Sequence, residues 1–454
     1  MTEIWAEHAL LATGWATRVR ISAGADGRIT SVETGTDPGH TRVGLLLPAP
    51  VNLHSHVFQR AMAGLTERRG PGTRDSFWTW RDWMYRFVGQ LTPEDIEVIA
   101  AFVQMEMLEA GYGAVAEFHY LHHAEGGREY DNIAEMAERV AAAAAATGIG
   151  LTLLPVLYTQ GGCDGRPLAG GQRRFGTRIE DYGTLVEASD RAIGRLPGDA
   201  RMGIAPHSLR AVSRAELDAA VALAGDRPIH IHIAEQSAEV EEVTLALGAR
   251  PVTWLLETLD VTPAWCLIHA THMTPAETRA VAVSGAVAGL CPITESNLGD
   301  GIFDGARYHD ASGRFGIGTD SNVQVSLAGE LRQYEYSQRL RDRSRAVLAT
   351  SADSNGRVLF EGAARGGAQA AGRGSGTIAV GEFADLSAFD LSHPDLTGRS
   401  GDAWIDAIVF AGAERALSDV WSAGRHLVRD GRHIARDGIT SAYRTTLARV
   451  LDTI

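Results

Sequence analysis

The chain contains no lysine; all 42 of its basic residues are arginine. A two-metal site bridged by a carbamylated lysine is therefore excluded. Cysteine is scarce as well. Cys163, Cys266 and Cys291 lie far apart with no C-x-x-C pair, which excludes a disulfide framework and leads us to expect reduced thiols in an intracellular protein. No stretch approaches 18 uncharged apolar residues, so no membrane span is expected. The opening residues Met1–Glu7 lack the basic start and apolar core of a secretion signal, and the expected location is cytoplasmic. A net charge of -14 argues against nucleic acid or an anionic membrane surface as a partner. Local arginine clusters remain free to bind a small acidic molecule. There is no internal repeat and no disordered tail.

What is present is a chain of 454 residues, 45% of them hydrophobic, enough for one barrel-sized domain and a smaller satellite. Residues 1–47 alternate short strand-like runs such as Thr17–Ile21 and Arg28–Val32 with glycine turns. The same grammar returns in Gly376–Leu386, Asp406–Phe410 and Asp419–Gly431. Between the two ends, apolar runs alternate with helical patterns. The runs are Leu45–Asn52, Ala114–Tyr120, Leu151–Tyr158, Met202–His207, Ile229–Ala234, Cys266–Ala270, Ala286–Cys291 and Phe315–Asp320. Eight such runs fit a (β/α)8 barrel. A doubly wound sheet is the alternative, but no G-x-G-x-x-G turn follows the first run. Helices are expected over Pro93–Ala110, capped by Thr92, through the alanine run Ala141–Ala146, and after the capping box Thr274–Glu277. The expected class is α/β: a TIM barrel over residues 48–372 with a small composite β-sandwich domain from both chain ends. Those ends are residues 1–47 and 373–454, the second also carrying a terminal helix.

Residues with chemistry sit at the C-terminal ends of these strands, the face where barrel active sites gather. His54 and His56 are two apart on an extended segment, so both imidazoles point the same way, as gripping one ion requires. His230 and His232 share a face of Ile229–Ile233. His232 is favoured as a ligand because it lies nearer the strand end, and His230 reads as a hydrogen-bonded interior histidine. Glu235 follows at the strand-to-helix turn, within reach of a substrate; its plainer reading is a charge at a helix N-terminus. His269 ends its strand and is taken for the site, with the loop residue His272 supporting or structural. Asp320 ends Phe315–Thr319; its plainer reading is a helix N-cap. Up to three imidazoles plus one carboxylate suit Zn2+ or another borderline divalent ion, one per chain. Such an ion lowers the pKa of a bound water toward about 7. Asp320 can hold the ion and take the water's proton. Glu235 is placed to pass a proton to a departing nitrogen, and His269 to steady developing charge.

Over nearly its whole length the chain resembles the amidohydrolase superfamily. The order H-x-H, H-x-x-E, His, Asp without lysine is similar to its mononuclear deaminase branch. Within that branch, Asn52–Leu65 and Ser76–Arg81 are long, unusual strings similar to the formimidoylglutamate deiminases, as are Ala116–Tyr120, Pro206–Val212 and Thr294–Gly301. The resemblance implies hydrolysis of N-formimino-L-glutamate to N-formyl-L-glutamate and ammonia in histidine degradation. It implies zinc at His54, His56, His232 and Asp320, with Glu235 and His269 catalytic beside Asp320. It also implies substrate contacts at Gln59, Arg81, Tyr120, His207 and Arg210. A substrate with two carboxylates suits two arginines, whose planar forks pair with carboxylates bidentately. Thr319, Asn322 and Pro292–Ile293 depart from the family pattern without touching the expected ligands. A homodimer is the expected assembly.

Two other readings compete. A deaminase of guanine, an adenosine derivative or an s-triazine would act on a substrate without paired carboxylates, which Arg81 and Arg210 disfavour. A barrel scaffold that had lost catalysis would lack ligands, whereas all six candidate residues are present.

Overall fold

Pro48-Ala49-Pro50 divides what reads in the sequence as one strand. In the computed structural model, which describes residues 2–68 and 77–453, Arg42–Pro48 runs in one sheet and Val51–Ser55 begins another. The expected strand Leu45–Asn52 is thus two, because proline has no N–H to continue a ladder. Arg42–Pro48 lies parallel to Thr2–Leu11 on one side and antiparallel to Leu386–Phe389 on the other. Strands from the two ends of the chain are therefore hydrogen-bonded neighbours. Gly14–Ala23 and Ile29–Glu33 extend the sheet on the first side, and Leu417–Ser422, Arg425–Arg429 and Arg432–His433 on the second. Every second residue turns inward, and Ile4, Ala6, Val19, Ile21, Leu46, Leu386 and Trp421 pack as a core separate from the main one.

The second set of strands is parallel throughout: Val51–Ser55, Ala114–His119, Gly150–Leu157, Ile229–Ile233, Trp265–His269, Val287–Leu290 and Arg314–Ile317. The expected strand Met202–His207 survives as two short pairings, Arg201–Met202 and Ala205–Pro206. Single parallel bridges join Ile204 to Ile229 and Ser208 to His232. The circle closes where His56 N–H donates to Asp320 O and Asp320 N–H to His54 O, both 2.9 Å. The result is a (β/α)8 barrel. Strands covered on both faces need apolar side chains on both, hence the unbroken hydrophobic runs.

Helices start where caps dictate. Thr92 and Asp95 form a capping box before Pro93–Glu109, and Thr274 and Glu277 another before Pro275–Ser284. Helix Asn355–Ala370 seals the barrel floor. A Cβ on Gly366 would stand 1.8 Å from Phe315 O, so only glycine allows this approach. Its terminal carbonyls find partners inside the barrel: His230 Nε2 lies 2.7 Å from Ala370 O, and Thr152 Oγ1 donates to Ala371 O at 2.8 Å. Just beyond, buried Arg373 pairs with Asp385 at 2.6 Å and Asp199 at 2.8 Å, fastening the sheet to the barrel. Among the described residues all three cysteines are free, and no helix is long and apolar enough to cross a membrane.

Candidate active site

At each strand's C-terminal end the backbone must turn sharply toward the following helix. Ala234, His269, Ala270, Asp320 and Asn322 all take positive φ there, a region that side chains with a Cβ adopt at a cost. These turns bring His54, His56, His232 and Asp320 into one buried cluster whose ligand atoms lie within 4.8 Å of one another. Asp320 Oδ1 is 3.4 Å from His54 Nε2 and 3.2 Å from His56 Nε2, and His232 Nε2 is 3.1 Å from His54 Nε2.

The chemistry of the donor set tests whether a cation fits. His56 Nδ1 lies 3.0 Å from Phe118 O and His232 Nδ1 lies 3.1 Å from His207 O. A carbonyl only accepts, so Nδ1 carries the proton in both rings and the neutral imidazole aims its Nε2 lone pair inward. Burial pushes His54 down to about 3, against the opposing pull of Asp320, and holds His232 well below the usual histidine range. Burial alone would raise Asp320. The close approach of His54 and His56 outweighs it and holds the carboxyl well below the usual carboxylate range. Three lone pairs and one carboxylate facing each other at this range suit a single divalent cation.

Thr319 and Asn322 serve this cluster. Thr319 Oγ1 accepts from Asn52 Nδ2 and donates to Asn322 Oδ1, each at 2.6 Å. Asn322 Nδ2 in turn reaches Ser55 Oγ, His56 O and Asp320 O, each at 3.1 Å. The loops carrying His56 and Asp320 are thus tied by side chains as well as backbone.

Beside the cluster, His269 Nε2 is 3.8 Å from both Glu235 Oε1 and Asp320 Oδ2, while its Nδ1 is 3.3 Å from Glu295 Oε1. Burial opposes charge on His269, yet Glu235, Glu295 and Asp320 together raise its pKa well above the histidine value. Burial lifts Glu235 to about 7, with Asp320 and Glu239 adding to the rise and His269 opposing it. Glu235 is thereby poised to carry a proton at neutral pH.

The cluster opens into a pocket, open to solvent, lined by Gln59, Arg81, Tyr120, His207 and Arg210 along with His56, His232, Glu235, His269 and Asp320. Gln59 Nε2 donates to Tyr120 Oη at 2.8 Å, and Gln59 Oε1 is buried without a partner among the described residues. Arg81 and Arg210 stand over the Trp78 ring, their Cζ atoms 4.6 Å and 5.8 Å from its centroid. Neither forms an ion pair among the described residues, and the Nε of each is buried without a partner. Burial opposes the Arg210 charge, but Glu239, Tyr158 and Glu235 hold it firmly protonated.

Some residues turn elsewhere. His230 faces the floor, and His272 Nε2 is spent on Asp300 O at 2.8 Å. Ser76, the first residue of a motif string, lies outside the described residues. Sequence reasoning missed Trp80, Tyr85, Tyr158 and Phe175 as cavity walls, and Glu295 as the partner of His269. Aromatics at helical spacing carry no signal that separates a cavity wall from core.

A parallel barrel that converges three imidazoles and a carboxylate at its mouth, an arrangement that could hold a metal ion, falls in the class of metal-dependent barrel hydrolases. The model of the amidohydrolase family matches residues 45–427, and that of "Formimidoylglutamate deiminase HutF, N-terminal domain" matches residues 1–41. The chain belongs to the amidohydrolase family. It is 49% identical to a formimidoylglutamate deiminase of Pseudomonas aeruginosa, with 100% of each chain covered. Among solved structures, an amidohydrolase from Brucella melitensis superposes with a TM-score of 0.95 at 47% identity, covering 99% of this chain and 100% of that one. A zinc-bound adenosine deaminase from Xanthomonas campestris shares the fold, with a TM-score of 0.80 at 21% identity over 100% of this chain and 98% of that one.

Proposed function

We propose that this protein hydrolyses the C=N bond of N-formimino-L-glutamate, giving N-formyl-L-glutamate and ammonia in the degradation of histidine. The observation that carries the reading is two arginines without ion-pair partners, among the described residues, in the cavity beside His56, His232 and Asp320. A guanidinium with no ion-pair partner keeps its planar fork free, and a ligand carboxylate can fill it. Two such groups suit a dianion. The relationship over the full chain to a formimidoylglutamate deiminase supports the same substrate.

Arg81 and Arg210 bind the two carboxylates and fix the substrate's long axis. Gln59 Oε1 accepts from a formimino N–H, and Tyr120 and His207 direct the group toward the cluster. The proposed ion is zinc, one per chain, held by His54, His56, His232 and Asp320; when bound, it supplies Lewis acidity that lowers the pKa of a water toward about 7. The water oxygen adds to the formimino carbon while Asp320 accepts one of its protons. Glu235 delivers a proton to the imino nitrogen. His269 donates a hydrogen bond to the oxygen as negative charge grows there. The C–N bond then breaks as the carbonyl forms. Over the turnover both water hydrogens end on nitrogen, which departs as ammonia. A barrel over residues 48–372 with a β domain from the two ends, a homodimer and a cytoplasmic location complete the proposal; the free thiols favour that location.

The test is ammonia release from N-formimino-L-glutamate against guanine, adenosine and s-triazine substrates. Preference for any of the uncharged substrates would overturn the reading.

A further inference from the structure

A second pocket, also open to solvent, shares Tyr158 with the substrate pocket as a common wall. No step above uses it. Its walls carry five carboxylates, Glu129, Asp131, Glu180, Asp181 and Glu216, against two guanidiniums, Arg173 and Arg178. Arg178 Nε donates to Asp181 Oδ2 at 2.7 Å, so one of the two is already spent. Negative charge is in excess, and a pocket of that kind draws in cations.

Two side chains that line the pocket are buried and lack partners among the described residues. His122 is 2% exposed and Thr177 is 7% exposed. His122 Nε2 lies 3.0 Å from Val156 O. A carbonyl only accepts, so Nε2 carries the proton, and Nδ1, which has no partner, keeps its lone pair. Burial, with the nearby His119 adding to it, holds this imidazole well below the usual histidine range and so uncharged. Thr177 N–H donates to Tyr158 O at 3.0 Å, while Oγ1 has no partner. Buried polar atoms left unpaired are costly, and a ligand that brings N–H groups relieves the cost.

The donor set narrows the cation. Hard cations prefer oxygen, whereas an imidazole lone pair suits N–H donors or borderline metals. A metal needs several such atoms close together, and among the described residues no side chain of this pocket belongs to a group able to hold one. A small cation that donates hydrogen bonds meets both conditions. We propose that this pocket binds ammonium, which donates to His122 Nδ1 and Thr177 Oγ1 while the carboxylates around it balance its charge. Ammonia leaving the adjoining substrate pocket takes a proton from solvent to become that cation. For this source alone, the inference rests on the proposed function.

The quadrupolar NMR line of ammonium nitrogen tests this on the metal-loaded enzyme. Ammonium in free solution is tetrahedral and gives a narrow line, which broadens when the ion is held at an asymmetric site. Wild-type protein should broaden the line of ammonium chloride saturably. Methylammonium chloride should reverse the broadening; potassium chloride and tetramethylammonium chloride, which have no N–H, should not. T177V and H122F each remove one acceptor from a charged donor and should weaken binding by at least about fivefold. E129Q/D131N changes only exposed positions and should weaken it too, which keeps the test open if H122F does not fold. Ammonium held at the substrate site instead would broaden equally in wild type and T177V. That result, no saturable broadening in wild type, or equal reversal by potassium or tetramethylammonium would overturn the proposal. Absence of ammonia release from N-formimino-L-glutamate would instead overturn the functional reading, and the line widths would still decide whether the pocket takes ammonium.

Discussion

Replacing Arg210 by methionine removes a charge while keeping an unbranched stem against Trp78. Arg210 is 8% exposed, its Nε has no partner among the described residues, and its Cζ lies 5.8 Å from that ring. A bound carboxylate would therefore meet it largely out of water, where a hydrogen bond to a charged group contributes about 1.5–3 kcal/mol. That corresponds to a loss of roughly 10- to 150-fold in kcat/KM. Arg81→Met should behave similarly if it meets the other carboxylate, at the lower end because Arg81 is only half-buried. Neither change should release the ion, since a guanidinium has no lone pair to offer. Arg210 also compensates Glu239, Glu235 and Glu242, so thermal unfolding must be measured alongside. The assay compares ammonia release from the dianionic substrate with release from formamidine, which has no carboxylate. Slow hydrolysis of formamidine should be nearly indifferent to both substitutions. Equal losses on the two substrates would mean that the arginines merely hold the cavity walls, and the argument from paired carboxylates would fail.

Three further outcomes are expected. Elemental analysis should find one tightly held divalent ion per chain, lost in His56→Ala; two strongly retained ions would refute the four-ligand assignment. Glu235→Gln should keep the ion while losing at least about 10²-fold in turnover, because positioned proton transfer contributes roughly 10²–10⁴. Burial raises the Glu235 pKa to about 7, so the acid form dominates below that pH; wild-type kcat/KM should fall as pH rises through the carboxyl's titration, and a profile without that limb in wild type would count against the role. Gly318→Ala would place a Cβ 2.7 Å from His54 Cβ and 2.8 Å from His54 O, an overpacking that costs about 1–3 kcal/mol; melting and ion retention should both drop, and neither changing would show the ligand strand to be pliable.

Much of the fold was legible because periodicity and punctuation are local. The capping boxes at Thr92 and Thr274 are set by side chains reaching three residues along, and both helices begin there. The barrel strands announce themselves because burial on both faces demands continuous apolar runs. The domain boundary was drawn at Pro48, but the division of Leu45–Asn52 into two strands was not legible, since both halves are mainly apolar and only pairing distinguishes them.

By itself the sequence determined the chemistry of the ligands. A chain without lysine cannot build a carbamate bridge, and H-x-H on a strand end places two imidazoles on one side whatever the rest of the fold does. Tertiary structure decided what depends on distance between segments far apart in the chain. Alternation places His230 and His232 on one face; depth in the barrel sends the first to Ala370 O at the floor and the second to the mouth. The hydrogen bond from Asn52 to Thr319 spans 267 residues of chain, and Asp300 comes near Glu235 only because loops from non-adjacent strands converge at the barrel mouth. Side chains in such positions carry no periodic signal. Their partners come from other strands, so closure of the barrel, and not local propensity, selects them.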